Sequence, residues 1–267
     1  MHSIEWLLWG TTRAVAVAAI GLFVAVVGYI FWHAFGAFSF DLVLPGGTLW
    51  APMMGTGMLV ILSVLLALPI GVAAGVYLGV YARGRMRRVL SFLFELLASI
   101  PSILVGLFGF ALIVLLHRWW GGALPSLGLA AFAMAILILP YIIKATELGI
   151  FEASHEHAAL AFALGATPEQ VVWRIWLRAA RSHTIKGLMR AFARAAEDTA
   201  VILLTGAVAS YGVPQSVWEP FEALPFFIYI TTAEYGSEAE LGTVFVAAAL
   251  LVTLAGVIVM KLGRSTK

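Results

Sequence analysis

The sequence predicts an all-helical membrane protein with six transmembrane helices, and three observations predict it. Of 267 residues, 62% are hydrophobic and only 11% are charged, whereas a soluble domain is nearer half apolar and a quarter charged. The apolar residues are gathered into runs close to the roughly 20 residues that cross a bilayer as a helix. Nearly all the basic residues then fall on one side of six alternating crossings. A single soluble core cannot hide this much apolar surface, so a water-soluble enzyme and a disordered chain are both excluded. The net charge of +2 leaves no electrostatic footprint for nucleic acid, and the absence of cysteine excludes disulfides, thiol catalysis and cysteine–metal sites. Ten-residue segments of alternating polarity, the mark of a membrane barrel, are also missing.

The spans are read at 14–35, 57–82, 89–116, 123–143, 186–208 and 241–260. The first is too long for a signal-peptide core and is read as a retained helix. The second carries Gly71, Gly75 and Gly79 at a spacing of four, a stripe that lets another helix approach closely. Pro69 precedes the stripe and predicts a kink. The third holds Glu95 and Pro101. Basic residues cluster after span 2 (Arg83, Arg85, Arg87, Arg88) and between spans 4 and 5 (Lys144, Arg174, Arg178, Arg181, Lys186). They recur at the C-terminus (Lys261, Arg264, Lys267), and Arg13 precedes span 1. The opposite side carries Arg118 and the acids Asp41, Glu219, Glu222, Glu234, Glu238 and Glu240. The excess of positive charge predicts both termini in the cytoplasm. No linker or repeat divides the chain, which reads as one transmembrane domain over 1–267, with a core at 55–260.

Residues 145–182 form the only long segment predicted on the inner side. Helix formers fill 147–164, and Gly165 follows as a C-terminal stop. Thr167-Pro168-Glu169-Gln170 then reads as a capping box with proline at the first helical position, opening a helix to about residue 180. Arg174, Arg178 and Arg181 share one face of it, beside Val172, Ile175 and Trp176. Such a hairpin either lies amphipathically at the headgroups or docks a cytoplasmic partner; the residues alone leave both open.

The fifth span carries Lys186, Arg190, Arg194, Glu197 and Asp198. At about 100° per residue, the last four share a face about 100° wide, with Arg194 and Asp198 some 12–18 Å beyond Lys186. A charge at mid-membrane costs about 2.5–3.5 kcal/mol. This stripe therefore faces protein or water. Its readings are a structural ion-pair network, Arg190 with Glu197 or Arg194 with Asp198, and a substrate pathway. Arginine suits an oxyanion, because its planar fork pairs with the anion's oxygens. Arg194 is the first candidate to contact such an anion, with Asp198 orienting it, followed by Arg190. Glu95 is expected to be buried and to join this network. His155 and His157 stand two apart and do not stack on one helix face, so no metal site is expected. The chain lacks a G-x-x-x-x-G-K-[ST] stretch and is not expected to hydrolyse ATP.

Several segments resemble the permease subunits of ABC importers. The pattern E-A-A, three residues, G, nine residues, I-x-L-P is met by Ala159-Leu160-Ala161, Gly165 and Ile175-Trp176-Leu177-Arg178, with Ala159 in the glutamate position and Arg178 in that of proline. Ile100-Pro101-Ser102 with Gly106-Leu107-Phe108, Leu68-Pro69-Ile70-Gly71, Ala163-Leu164-Gly165-Ala166-Thr167 and Arg194-Ala195-Ala196-Glu197-Asp198-Thr199-Ala200 are similar to the phosphate branch, PstA and PstC, and closer to PstA. In the last segment Glu197 and Asp198 replace glycine and glutamate, and Val201 replaces proline. The resemblance implies a type I importer permease fold in a bacterial inner membrane. It implies an ATPase-docking surface at Ala159, Ala161, Gly165, Ala166, Thr167, Ile175 and Leu177. It also implies a phosphate pathway at Arg194, Asp198, Arg190, Glu197, Thr199 and Glu95. The partners it implies are a second, PstC-like permease, two ATPases carrying ATP and magnesium, and an extracytoplasmic phosphate-binding protein. No cofactor is expected on this chain. Another oxyanion (molybdate, tungstate or sulfate) is the alternative cargo. A transporter or channel working without nucleotide is the alternative mechanism.

Overall fold

A computed structural model describes residues 2–120, 125–153, 155–234 and 236–264. The start of the predicted fourth span, Lys267, and the side chains of His155, His157 and Arg264 lie outside the described residues. The elements are α1 (His2–Ala37), α2 (Phe40–Val43), α3 (Trp50–Val76), α4 (Gly84–Ser99), α5 (Ser102–Trp120) and α6 (Leu127–Phe151). They continue with α7 (His155–Ala163), α8 (Pro168–Val171), α9 (Leu177–Glu197), α10 (Thr199–Thr205), α11 (Leu224–Glu234) and α12 (Glu238–Arg264). The only extended pairing among the described residues is the single bridge between Ala207 and Phe221.

The core is α3 laid against α6. The predicted glycine stripe makes this contact: Gly71 meets Ile142, Gly75 meets Thr146 and Gly79 meets Ile150. Both numbers rise together, so the two helices are parallel. A Cβ on Gly75 would stand 2.6 Å from that of Thr146, so only glycine admits this approach. Helix α9 runs antiparallel to α6, with Gly149 against Ala180 and Gly187 against Tyr141 and Ala145. Thr146 and Thr184 hydrogen-bond across that seam at 3.1 Å. Helix α5 closes the other side through Gly106 on Ala200 and Gly109 on Ala133. Helices α1 and α12 form a second, antiparallel layer in which Tyr29 meets Phe245 edge-on at 5.7 Å. Helix α1 exposes one face after another of valine, leucine and phenylalanine, a surface that only lipid or another apolar partner satisfies.

Among the described residues, five helices are long and apolar enough to cross a membrane: Thr11–Ala37, Trp50–Tyr81, Ser102–Trp119, Leu127–Phe151 and Glu238–Ile258. The stretch predicted as the fifth span does not qualify, and the reason corrects the sequence reading. Residues 186–208 are not one helix. Asp198 leaves helical geometry (φ −77°, ψ 114°) and caps α10, accepting a 2.8 Å bond from the Val201 amide. The predicted third span is likewise two helices. Pro101 has no N–H and pushes Ile100 into extended backbone (ψ 127°), which ends α4 and starts α5.

The inner segment also divides differently. Helix α6 continues to Phe151, so Lys144 and Glu147 belong to it, and α7 is a short separate helix. Gly165 turns the chain at φ +84°, and the predicted capping box is present: Thr167 Oγ1 accepts from the Gln170 amide while Gln170 accepts from the Thr167 amide. The second arm does not stop near residue 180. It passes through a π-helical turn, Val172–Trp176, directly into α9.

Candidate functional site

The break between α9 and α10 builds the site. Helix α9 buries Ala180, Gly187, Ala191, Ala195 and Ala196, small residues that let it sit flat on the core. Its charged positions therefore lie along and beyond the edge of that seam. Arg194 and Asp198 are brought together: Nη2 stands 2.6 Å from Oδ2, the Asp198 side chain is 2% exposed, and that of Arg194 is 32% exposed. The aspartate spends one oxygen on the Val201 amide and the other on the guanidinium. Arg194 is thus held at one end by a buried carboxylate, with part of its fork uncovered.

The other predicted members are placed differently. Arg190 and Glu197 are both exposed, and no ion pair joins either of them among the described residues. Thr199 is the first residue of α10, half-buried beside the capping aspartate. Glu95 is not buried and does not reach this group. It pairs instead with Lys144 at 3.0 Å, its side chain 64% exposed. Lys144 also meets Glu147 at 3.5 Å, and Glu147 takes Arg87 at 3.2 Å. These four alternating charges tie α4 to α6. Sequence reasoning missed them because their partners are 49 and 60 residues apart. The signal available was Lys144 and Glu147 at a spacing of three on an apolar helix.

The hairpin gathers the predicted docking residues at one end of the molecule. Ala159, Gly165 and Thr167 are exposed; Ala161, Ala166, Ile175 and Leu177 are half-buried. Between its arms, Leu160, Ala161, Leu164, Arg174, Ile175 and Arg178 line an open cleft of about 480 Å³. Leu164 and Trp173 are 81% and 72% exposed, an apolar surface this chain does not cover. The opposite end carries the connection 206–223, which is pinned rather than loose. Phe221 is buried against Gly55 and Gly206, Glu222 accepts from the Gly212 amide at 2.6 Å, and Gly128 donates to Val217 at 2.6 Å.

Residues 67–264 match the family described as binding-protein-dependent transport system inner membrane component. The chain belongs to that family. The chain is similar to the phosphate transport system permease protein PstA of Haemophilus influenzae, 35% identical over 185 residues, or 69% of this chain and 63% of the relative. PstA 1 of Mycobacterium tuberculosis is 31% identical over 229 residues, covering 84% of this chain and 70% of that protein. The chain spans just under two thirds of the length of the first of these. Among solved structures, an inward-facing MetNI methionine ABC transporter superposes with a TM-score of 0.63 at 19% identity, over 83% of this chain and 97% of that one. At that identity the likeness establishes the fold, which is the importer permease fold. The family places the chain in the inner membrane as a multi-pass transport component.

Proposed function

We propose that this chain is the translocation subunit of an ATP-driven importer for inorganic phosphate. The observation that carries the reading is the Arg194–Asp198 pair: a partly uncovered arginine, oriented by a buried carboxylate, at a helix break. The break falls within residues 67–264, the stretch that matches the transport-component family. Arginine supplies the bidentate donors an oxyanion needs. Asp198 fixes its direction and offsets its charge, so that an anion is bound without being trapped. Arg190 offers a second donor one turn away, and Glu197 limits the net positive charge of the stripe. Thr199 supports the break. Glu95 is bound to Lys144 and stands apart from this pair.

The chain works with a second permease, which covers the exposed edge of α9 and completes the pathway. Two ATPases carry ATP and magnesium; one seats on the hairpin around residues 157–170, over the exposed Leu164 and Trp173. An extracytoplasmic binding protein delivers the anion to the end bearing 206–223. Both termini are cytoplasmic on this reading, which the one-sided arrangement of basic residues supports.

Uptake of labelled phosphate into vesicles holding the assembled complex tests this. Arg194→Gln is expected to abolish uptake without loss of the co-purifying subunits. Wild-type uptake by an assembled mutant removes the proposed role. The Glu197-Asp198 sequence, where the relatives' motif has glycine and glutamate, favours one second reading, a different tetrahedral oxyanion. Competition by molybdate, tungstate or sulfate stronger than by phosphate selects it. Transport by the chain alone, without nucleotide, overturns the importer reading.

A further inference from the structure

Beyond the transport pathway, the turn between α3 and α4 carries a built surface of its own. Helix α3 ends in a π-helical turn, Tyr77–Tyr81, whose two tyrosines stack at 6.4 Å between centroids. Gly84, at φ +54°, reverses the chain into α4. Four arginines flank this glycine within six positions: Arg83 before it, and Arg85, Arg87 and Arg88 after it. Among the described residues, Arg87 alone of the four has an ion-pair partner, Glu147 at 3.2 Å. Arg83, Arg85 and Arg88 are exposed, and no ion pair engages them among the described residues. After Arg88 the outward side of α4 turns apolar: Val89, Phe92, Leu93 and Leu96 are each 45–58% exposed. The helix thus passes from a charged first turn to an apolar outward side, the order in which headgroups and hydrocarbon follow one another. Beside the same turn, α3 and α4 splay apart around an open cleft of about 650 Å³. It runs from Pro69 and Ile70 past Ala73 to Tyr77, Leu90 and Phe94, and apolar atoms line it almost throughout.

We propose that this turn binds an anionic phospholipid, its phosphate among Arg83, Arg85 and Arg88 and one acyl chain in the α3–α4 cleft. The apolar cleft selects a lipid over a free phosphate ion, which gains nothing from hydrocarbon walls. The three uncompensated arginines select a negative headgroup over a zwitterionic one. Tyr77 and Tyr81 sit where amphipathic rings settle, between the apolar and charged levels. The Arg87–Glu147 pair holds the first turn of α4 in place, so the remaining arginines are presented outward.

The test is lipid binding by the full chain, purified in mild detergent with its co-purifying subunits. Phosphatidylglycerol and phosphatidylcholine serve as competing probes, and bound lipid is counted by native mass spectrometry. Wild-type protein is expected to retain phosphatidylglycerol preferentially. Replacing Arg83, Arg85 and Arg88 together by Gln is expected to weaken its binding roughly 100-fold and leave phosphatidylcholine unaffected; replacing all three by Lys preserves it. Ala73→Leu, at an exposed cleft position, is expected to reduce retention of phosphatidylglycerol without touching a charge, and it decides the matter if the triple glutamine variant does not assemble. Arg118→Gln, an exposed arginine in α5, serves as the control and leaves retention at the wild-type level. Undiminished phosphatidylglycerol binding in either the triple glutamine variant or Ala73→Leu overturns the site. So does an equal loss in Arg118→Gln, or a disulfide crosslink from Ala73→Cys to another subunit in place of lipid.

Discussion

Asp198 holds two jobs that mutation can separate. Its Oδ1 caps α10 through the Val201 amide and its Oδ2 pairs with Arg194. Asparagine caps as well as aspartate does, but it cannot neutralise an arginine. Asp198→Asn is therefore expected to keep most of the thermal stability while losing uptake. Asp198→Ala loses the cap too, at about 0.5–2 kcal/mol. Melting of the purified protein in detergent, measured beside vesicle uptake, checks this; equal stability loss in both variants sinks the capping role. The four-charge ladder of Glu95, Lys144, Glu147 and Arg87 is a different kind of group. Glu147 alone of its members is buried, so it carries most of the ladder's sensitivity to substitution.

Among the elements, the α3–α6 seam is the least forgiving. Gly75 lies against Thr146 and Ile143, whereas Gly57, on the same helix, has open space where a side chain would go. Gly75→Leu is expected to cost about 1–3 kcal/mol through overpacking, and Gly57→Leu close to nothing. Comparable melting temperatures for the two variants contradict the seam.

The same element scale shows what was legible in advance. The glycine stripe, the Gly165 turn and the Thr167–Gln170 box were readable because each is specified within a few adjacent residues. The breaks at Asp198 and Ile100 were not, because a span is recognised by averaging hydropathy over its length, and averaging erases a single capped residue. The cues were present: an aspartate before an apolar run is an N-cap signal, and a residue before proline resists helix. Of the predicted site, the Arg194–Asp198 contact followed from helical spacing. The isolation of Glu95 did not, because burial depends on where α4 lies against α6, a tertiary fact.

At the scale of the whole molecule, the two ends are chemically distinct and separately addressable. The native chain has no cysteine, so single cysteines report topology with no prior replacement. On the proposed orientation, with both termini cytoplasmic, Gln170→Cys on the hairpin is expected to resist a membrane-impermeant maleimide in intact cells and to react after permeabilisation. Gln215→Cys, in the connection at the other end, is expected to react without it. The reverse pattern would invert the assignment of sides.

The continuous helix from Pro168 to Glu197 has a mechanical meaning. Thirty residues at about 1.5 Å each make a rod near 45 Å long. One end is rooted in the hairpin and the other ends at Arg194 and Asp198. A helix transmits an axial push or a roll along its length, and a capped break does not. On the proposed reading, a displacement of the hairpin would be carried along this rod toward the arginine, and the rigid connection ends at the capped break. Helix α10 and the pinned connection beyond it lie past that break and are tied to α5, α6 and the buried Phe221, so they form the bearing against which such a rod would turn.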